Sequence, residues 1–331
     1  EYDLAGRLAK KTLGYSVYTT YEYDAAGNVL HLLNFKPDVS VLSRFDYTYD
    51  ASGRRTSMAT LDSTQTYGYD PLGQLTSVTY SDGRIVQYVY DAAGNRVQVI
   101  DNGVETNYAT NALNQYVTVG NAIYVYDLDG NLISKTEAGV TTTYTYNAEN
   151  RLVGVATLTD TWTHKYDSLG NRIATTHNGQ TTKYVIDPTG LGNVAAELDG
   201  QGIVIARYDH GYGLISRIDG AGDSAYYTFS AIGNTSEMTD TAGVAVNTYS
   251  YDPFGVLLTS SEMEPSPFGF GGELGVMNDS GNSTFMRSRY YDSSVGRFTQ
   301  PDTIGFAGGF NSYSFTSNGP VDQSALSEFL V

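Results

Sequence analysis

Cysteine is absent from this chain, which excludes a disulfide framework, a thiolate nucleophile and any Cys-ligated metal. Histidine is scarce, with four residues, so imidazole chemistry is short of parts. Basic residues are the minority: 19 Lys and Arg against 36 Asp and Glu give a formal net charge of −17. That is the wrong sign for the counterion release that drives binding to DNA or RNA, and general nucleic-acid binding is excluded. Long apolar runs are missing as well. No run approaches the ~18 residues of a membrane span, and the chain opens in the polar run EYDLAGRLAKK rather than in a charged-then-apolar leader. A soluble chain without a membrane span is expected, with any export signal lying outside it. Proline, with 8 residues, is too sparse for a collagen-like or Pro-rich linker.

What is present points to strands. The 331 residues are 40% hydrophobic and 13% aromatic, enough for a sizeable core in one large or two ordinary domains. The aromatic share is 29 Tyr, 12 Phe and 1 Trp, alongside 36 Gly, a composition of β-strands and tight turns rather than helices.

These residues are arranged periodically. The pattern Tyr-x-Tyr-Asp-x-x-Gly followed by Asn or Arg and an aliphatic residue recurs as YEYDAAGNVL (21–30), YTYDASGRR (47–55), YGYDPLGQL (67–75), YVYDAAGNRV (88–97), YVYDLDGNL (124–132) and YSYDPFGVL (249–257). Degenerate copies fill the gaps, among them YTYNAENRL (144–152) and HKYDSLGNRI (164–173), to make thirteen copies spaced mostly by 20 to 22 residues. Within a copy, Tyr88 and Tyr90 alternate with Val89, lead into Asp91-Ala-Ala-Gly94-Asn95, and are followed by alternating Val97 and Val99 until a second turn at Asp101-Asn102-Gly103. Each repeat therefore reads strand, turn, strand, turn. Asp24, Asp50, Asp70, Asp91, Asp127 and Asp252 open these turns, where a carboxylate can bond the turn's own backbone. Gly27, Gly53, Gly73, Gly94, Gly130 and Gly255 supply positive φ at the fourth position.

Consecutive hairpins make an all-β antiparallel meander of roughly two dozen strands, and a twisted open sheet rarely exceeds about ten before it curls or splits. Three wrappings fit: a spiral sheet forming a hollow shell, a β-propeller with two repeats per blade, and a β-solenoid with one repeat per coil. A propeller should show a 40-residue superperiod because inner and outer strands of a blade face different surroundings. Odd and even copies are alike, so the spiral shell ranks first. The periodicity leaves open which face of each strand looks inward.

From about residue 259 the text changes to PFGFGGE, RSRYYDSSVGRF and DTIGF followed after five residues by NSYSFTSNGP. With thirteen repeats before them, these elements resemble the RHS/YD-repeat family, which includes the C component of bacterial Tc toxins, polymorphic secreted toxins and the YD shell of teneurins. The resemblance divides the chain into a shell segment, 1–258, and a core-associated region, 259–331, that plugs one end. It implies a cocoon around a C-terminal toxin or effector domain, export to the cell surface or beyond, and partners consisting of that cargo, a second shell half or a delivery machine. Because the first residue stands in mid-repeat, further repeats are expected upstream.

The resemblance also implies self-cleavage by a pair of Asp residues assisted by an Arg, in which one carboxyl stays protonated as acid while the other activates water. The Arg of the family's R-Y-Y-D element falls on Arg289, and the first Asp, at the head of D-P-x-G, falls on Asp302, with Thr303 in place of Pro. Laying Asn318-Gly319-Pro320 on the family's Asn-Asn-Pro puts the second Asp position on Ala325. Asp322 and Glu328 are three residues off register, beyond the sub-ångström tolerance of a working site. Either this chain does not cleave itself, or the second Asp was removed to trap an intact form.

Other constellations read as structure. Gly190-Leu-Gly192-x-x-Ala195 matches a dinucleotide fingerprint on paper but has no βαβ unit around it. Asp127-x-Asp129-Gly130 opens like a calcium loop, yet Gly comes two positions early and Ala138 stands where the bidentate Glu belongs. His31, His164, His177 and His210 have neither zinc-motif spacing nor a serine elbow beside them. No cofactor and no metal is expected. Sequons at Asn234, Asn278 and Asn282 matter only in a secretory pathway that glycosylates. A second reading of function is a cell-surface adhesion or carbohydrate-binding scaffold, with the repeat tyrosines as stacking faces; their first role is cross-strand packing.

Overall fold

The computed structural model describes residues 1–189, 192–279 and 282–321. Each repeat supplies two strands. In Ile85–Tyr90, Val86 and Tyr88 are buried while Ile85 and Val89 are exposed, the alternation expected of a strand with one covered face. The chain turns through Asp91 to Asn95 and returns as Arg96–Asp101, antiparallel to the first strand. It then turns back through Asn102 and Gly103, both at positive φ, as a two-residue hairpin loop requires.

Repetition of this unit builds one 25-stranded sheet, in which each strand pairs antiparallel with the strands before and after it, from Lys10–Thr12 to Leu257–Glu262. The expected meander is present. A propeller would divide the strands into separate blades and a solenoid would pair them in parallel, and one continuous antiparallel sheet does neither.

The sheet curls because of a slip repeated at the same place. Val89 faces Gln98 but Tyr90 faces Arg96, so the returning strand carries one extra residue. The same slip falls at Glu22/Tyr23, Thr48/Tyr49, Gly68/Tyr69, Val125/Tyr126 and Lys165/Tyr166. A bulge bends its strand and increases the twist, and bulges at one end of successive hairpins bend the whole sheet one way. Among the described residues the two sheet edges do not pair with each other, yet strands far apart in sequence meet. Ser43 Oγ donates to Glu237 Oε2 at 2.8 Å, and the Ala231 N–H donates to the Tyr47 hydroxyl at 3.2 Å.

The first tyrosine of the motif faces inward, as Tyr47, Tyr67, Tyr88 and Tyr124 are all buried. The second reaches back to the preceding repeat. Tyr49 donates to the Val29 carbonyl (2.7 Å), Tyr69 to Arg55 (2.6 Å), Tyr90 to Leu75 (2.9 Å) and Tyr166 to Leu152 (2.7 Å). Each such bond contributes about 0.5–1.5 kcal/mol and satisfies a carbonyl beside the bulge.

From Glu264 the chain leaves the sheet. A short 3-10 turn, Gly272–Leu274, leads into a four-stranded sheet of Met277–Asn278, Ser283–Met286, Arg289–Asp292 and Arg297–Phe298. Phe270, Val276, Met286, Tyr291, Phe298 and Phe315 form its own core, with Tyr291 and Phe315 centroids 4.5 Å apart. Phe254, carried by the last YD turn, packs edge-on against Tyr88 of the opposite wall at 5.1 Å.

Candidate functional site

The turns of the repeats form one rim, and their side chains share a bonding scheme. Asp91 Oδ1 accepts the N–H groups of Ala93 and Asn95 at 2.8 and 2.9 Å, while Oδ2 accepts Asn95 Nδ2 at 2.8 Å. Asp24 with Asn28, Asp50 with Arg54, Asp70 with Gln74 and Asp167 with Asn171 repeat it. These bonds favour the charged form and hold the carboxyls of Asp24, Asp50 and Asp167 below the usual range. Asp127 is engaged in the same way by Asn131, so the apparent calcium-loop spacing is a turn of this kind.

The C-terminal region binds that rim turn by turn. Arg297 Nη1 donates to the Asn114 carbonyl at 2.5 Å and Nη2 to Asn95 Oδ1 at 2.6 Å. Asn311 Nδ2 donates to Asn95 Oδ1 at 2.8 Å, and Asn318 Nδ2 donates to Gln74 Oε1 and the Gly94 carbonyl at 3.0 and 2.9 Å. The Tyr313 hydroxyl donates to the Gly130 carbonyl at 2.7 Å and accepts Gln115 Nε2 at 2.9 Å. Gln300 Nε2 donates to the Asn150 carbonyl, and Arg287 Nη1 donates to that of Gly192. Ion pairs add to this: Arg172 with Asp279 at 2.5 Å, Arg217 with Glu264 at 3.3 Å and Lys11 with Glu273 at 3.2 Å. Sequence reasoning marked the Asp and Gly of each turn and the Asn or Arg that follows, as at Asn95, but gave Gln74, Asn95 and Gln115 no role in docking. The signal for them was the recurrent amide or guanidinium four residues after the Asp.

Arg289 and Asp302 come together. Arg289 Nη1 lies 3.1 Å from Asp302 Oδ2, Arg289 is buried and its guanidinium carbon stands 3.6 Å from the Phe298 ring centroid. Asp302 Oδ1 accepts the Ile304 N–H, so both carboxylate oxygens have protein partners. Gly308 passes so close that a Cβ there would meet Asp302 Oδ2 at 2.5 Å. The pair opens on a cleft of about 550 Å³ that Glu149, Arg151, Arg287, Gln300 and Thr303 also line. Ala325, Asp322 and Glu328 lie outside the described residues, so the geometry here concerns one carboxylate and its arginine.

The remaining candidates are accounted for by packing. Gly190 and Leu191 lie outside the described residues, and Ala195 is in Val194–Leu198, a strand whose neighbours are both antiparallel, with no βαβ unit. His31 Nδ1 lies 2.5 Å from Asp46, His210 Nε2 lies 2.9 Å from the Val194 carbonyl and His177 lies flat against Trp162. His164 is buried, and desolvation together with the Arg172 charge lowers its pKa to about 4. Of the sequon residues, Asn234 is buried with its Oδ1 taking the Gly271 N–H, Asn278 is half-buried and Asn282 is exposed.

The family profile described as Teneurin YD-shell matches residues 38–321. The tRNA3(Ser)-specific nuclease WapA of Bacillus spizizenii is 30% identical over 266 residues, which is 76% of this chain and 11% of that protein. The tRNA nuclease WapA of Bacillus subtilis aligns to the same extent, also at 30% identity. The chain thus spans about a ninth of the length of these curated relatives. Among solved structures, the TcdB2-TccC3-Cdc42 crystal structure superposes over 99% of this chain and 19% of its own, with a TM-score of 0.80 at 17% identity. The TcdB2-TccC3 structure covers 97% of this chain and 19% of its own, with a TM-score of 0.79 at 19% identity. At such identities the likeness is one of fold.

Proposed function

This chain belongs to the YD-shell family, and on that premise we propose that it is the wall and closing end of a shell that confines a polypeptide cargo, a toxin or effector domain encoded beyond the core region. The observation that carries the reading is the docking of the C-terminal region on consecutive YD turns, from Gln74 through Asn193, by buried polar contacts. A sheet that curls and is closed across one rim suits confinement, because cargo on its inward side is kept from solvent and proteases. Residues 1–258 serve as wall and 259–331 as closure. The protein acts outside the producing cell or at its surface, with a second shell half or a delivery machine as further partners. The tRNA cleavage in the relatives' names is assigned to cargo, since a chain of net charge −17 is poorly suited to hold RNA.

Asp302 and Arg289 are the family-type half of a self-cleaving site. With Ala325 in the second Asp position the chain stays intact, and Ala325→Asp in a protein extended past Val331 should release a second fragment by intact mass. An uncleaved product would remove Asp302 from a catalytic role.

Electron microscopy of the full parent polypeptide, with intact mass on the same sample, tests confinement. Density inside a closed shell beyond that of the repeats supports it. An empty or open scaffold overturns it in favour of an adhesion scaffold.

A further inference from the structure

The single tryptophan of the chain sits in a cross-strand row on the inward face, Tyr144, Val155, Trp162, His177, rather than in the core. Its indole lies flat on the His177 imidazole, centroids 4.5 Å apart and planes within 3°. Asp160 holds that imidazole, with Oδ1 2.9 Å from Nε2, and Asn178 and Thr159 donate to the same carboxylate. The indole is therefore backed and oriented from one side. Trp162, but not His177, lines a cleft of about 310 Å³.

The C-terminal hairpin also lines this cleft and brings Asp292 to it. Asp292 Oδ1 accepts the N–H and hydroxyl of Ser294, and among the described residues no ion pair reaches this carboxylate. The other charges of the lining are spoken for: Asp279 by Arg172, Lys135 by Glu137 and Asp160 by the donors that orient His177. A cleft lined by an aromatic ring and by a carboxylate without an ion-pair partner suits a flat cation. The ring quadrupole attracts the charge, and the carboxylate accepts its N–H groups. A neutral guest would desolvate Asp292 without replacing its water, and an anion would be repelled. Guanidinium fits better than ammonium because its plane can stack on the indole.

We propose that this cleft is a binding site for an arginine side chain, with the guanidinium stacked on Trp162 and donating to Asp292. The arginine is presented by a polypeptide on the inward side of the sheet; that this polypeptide is confined cargo rests on the shell reading, whereas the site does not.

Trp162 is its own reporter. Titration of the whole chain with N-acetylarginine amide, followed by tryptophan emission, should give a saturable change, and N-acetylcitrulline amide, nearly the same shape without the charge, should give none. Asp292→Asn should weaken the response at least about fivefold, the factor for roughly 1 kcal/mol, with an unchanged thermal midpoint showing that the hairpin is intact. Calorimetry on Trp162→Phe should show a loss of similar size. No saturable change, an equal response to citrulline, or undiminished binding by Asp292→Asn each overturns the proposal. Arginine binding by a protein whose shell is empty in micrographs would sink the shell reading and leave the site standing, and a loaded shell with an unresponsive Trp162 would do the reverse.

Discussion

Arg297 and Asn95 are 202 residues apart in the chain, and Nη2 of the one lies 2.6 Å from Oδ1 of the other. Asn95 uses its Nδ2 group within the rim, on Asp91 Oδ2 and on Asn114 Oδ1, both within 2.9 Å. Its Oδ1 is left for Arg297 and Asn311. One amide thus closes its own turn, joins it to the next and receives the C-terminal region.

Arg297→Ala should therefore cost more than an exposed arginine would. It strips donors from the Asn114 carbonyl and from Asn95 Oδ1 in a buried site, and it removes the guanidinium stacked 4.2 Å from the Tyr116 ring centroid. A loss of about 2–4 kcal/mol is expected in urea unfolding. Limited proteolysis should cut the C-terminal region before the repeats. Cleavage that starts in the repeats would contradict the docking role.

Tyr90→Phe deletes only the hydroxyl that donates to the Leu75 carbonyl. The ring stays, so the expected loss is about 1 kcal/mol. Asp91→Ala removes three accepted bonds at once and should cost more, roughly 2 kcal/mol, while Asp91→Asn keeps the Oδ1 contacts and falls between. Chemical denaturation of the three variants checks this order.

Asp252, in the last YD turn, behaves unlike the others. Burial raises its pKa to about 6, against backbone N–H groups of Phe254 and Val256 and the charges of Arg96 and Arg84, which favour the ionised form. A carboxyl whose folded pKa exceeds its unfolded value near 3.8 takes up a proton in the folded state first, so its contribution to stability grows as pH falls from about 7 towards 4. Relative to Asp252→Asn, the parent should gain roughly 2–3 kcal/mol over that range. A pH-independent difference between the two would refute the burial assignment.

His164 works in the opposite direction. Its pKa is lowered to about 4 by burial and by Arg172, so the unfolded chain binds a proton near pH 6.5 before the folded one does. The stability that neutral His164 carries is complete above about pH 6.5 and is lost towards pH 4, by about 3 kcal/mol at most. His164→Gln should flatten this acid-side loss in pH-dependent thermal melts, and an unchanged slope would count against it.

The repeat, its hairpins and the chemistry within each turn are legible in the sequence because they are local. Asp91, Gly94 and Asn95 lie within five residues, and a carboxylate that bonds backbone two and four positions on needs no distant partner. The period determined a continuous antiparallel meander for the same reason, since each strand pairs only with its neighbours. Tertiary structure alone decided which face turns inward: Tyr88 is buried and Val89 exposed, though both suit either side of a strand. It also decided that Asn95 meets Arg297, that Ser43 meets Glu237 and that Trp162 and Asp292 line one cleft. These pairs depend on curvature summed over many bulged hairpins, each adding a small bend. No window of the sequence is long enough to contain that sum, and it exists only once the whole sheet has curled around its C-terminal region.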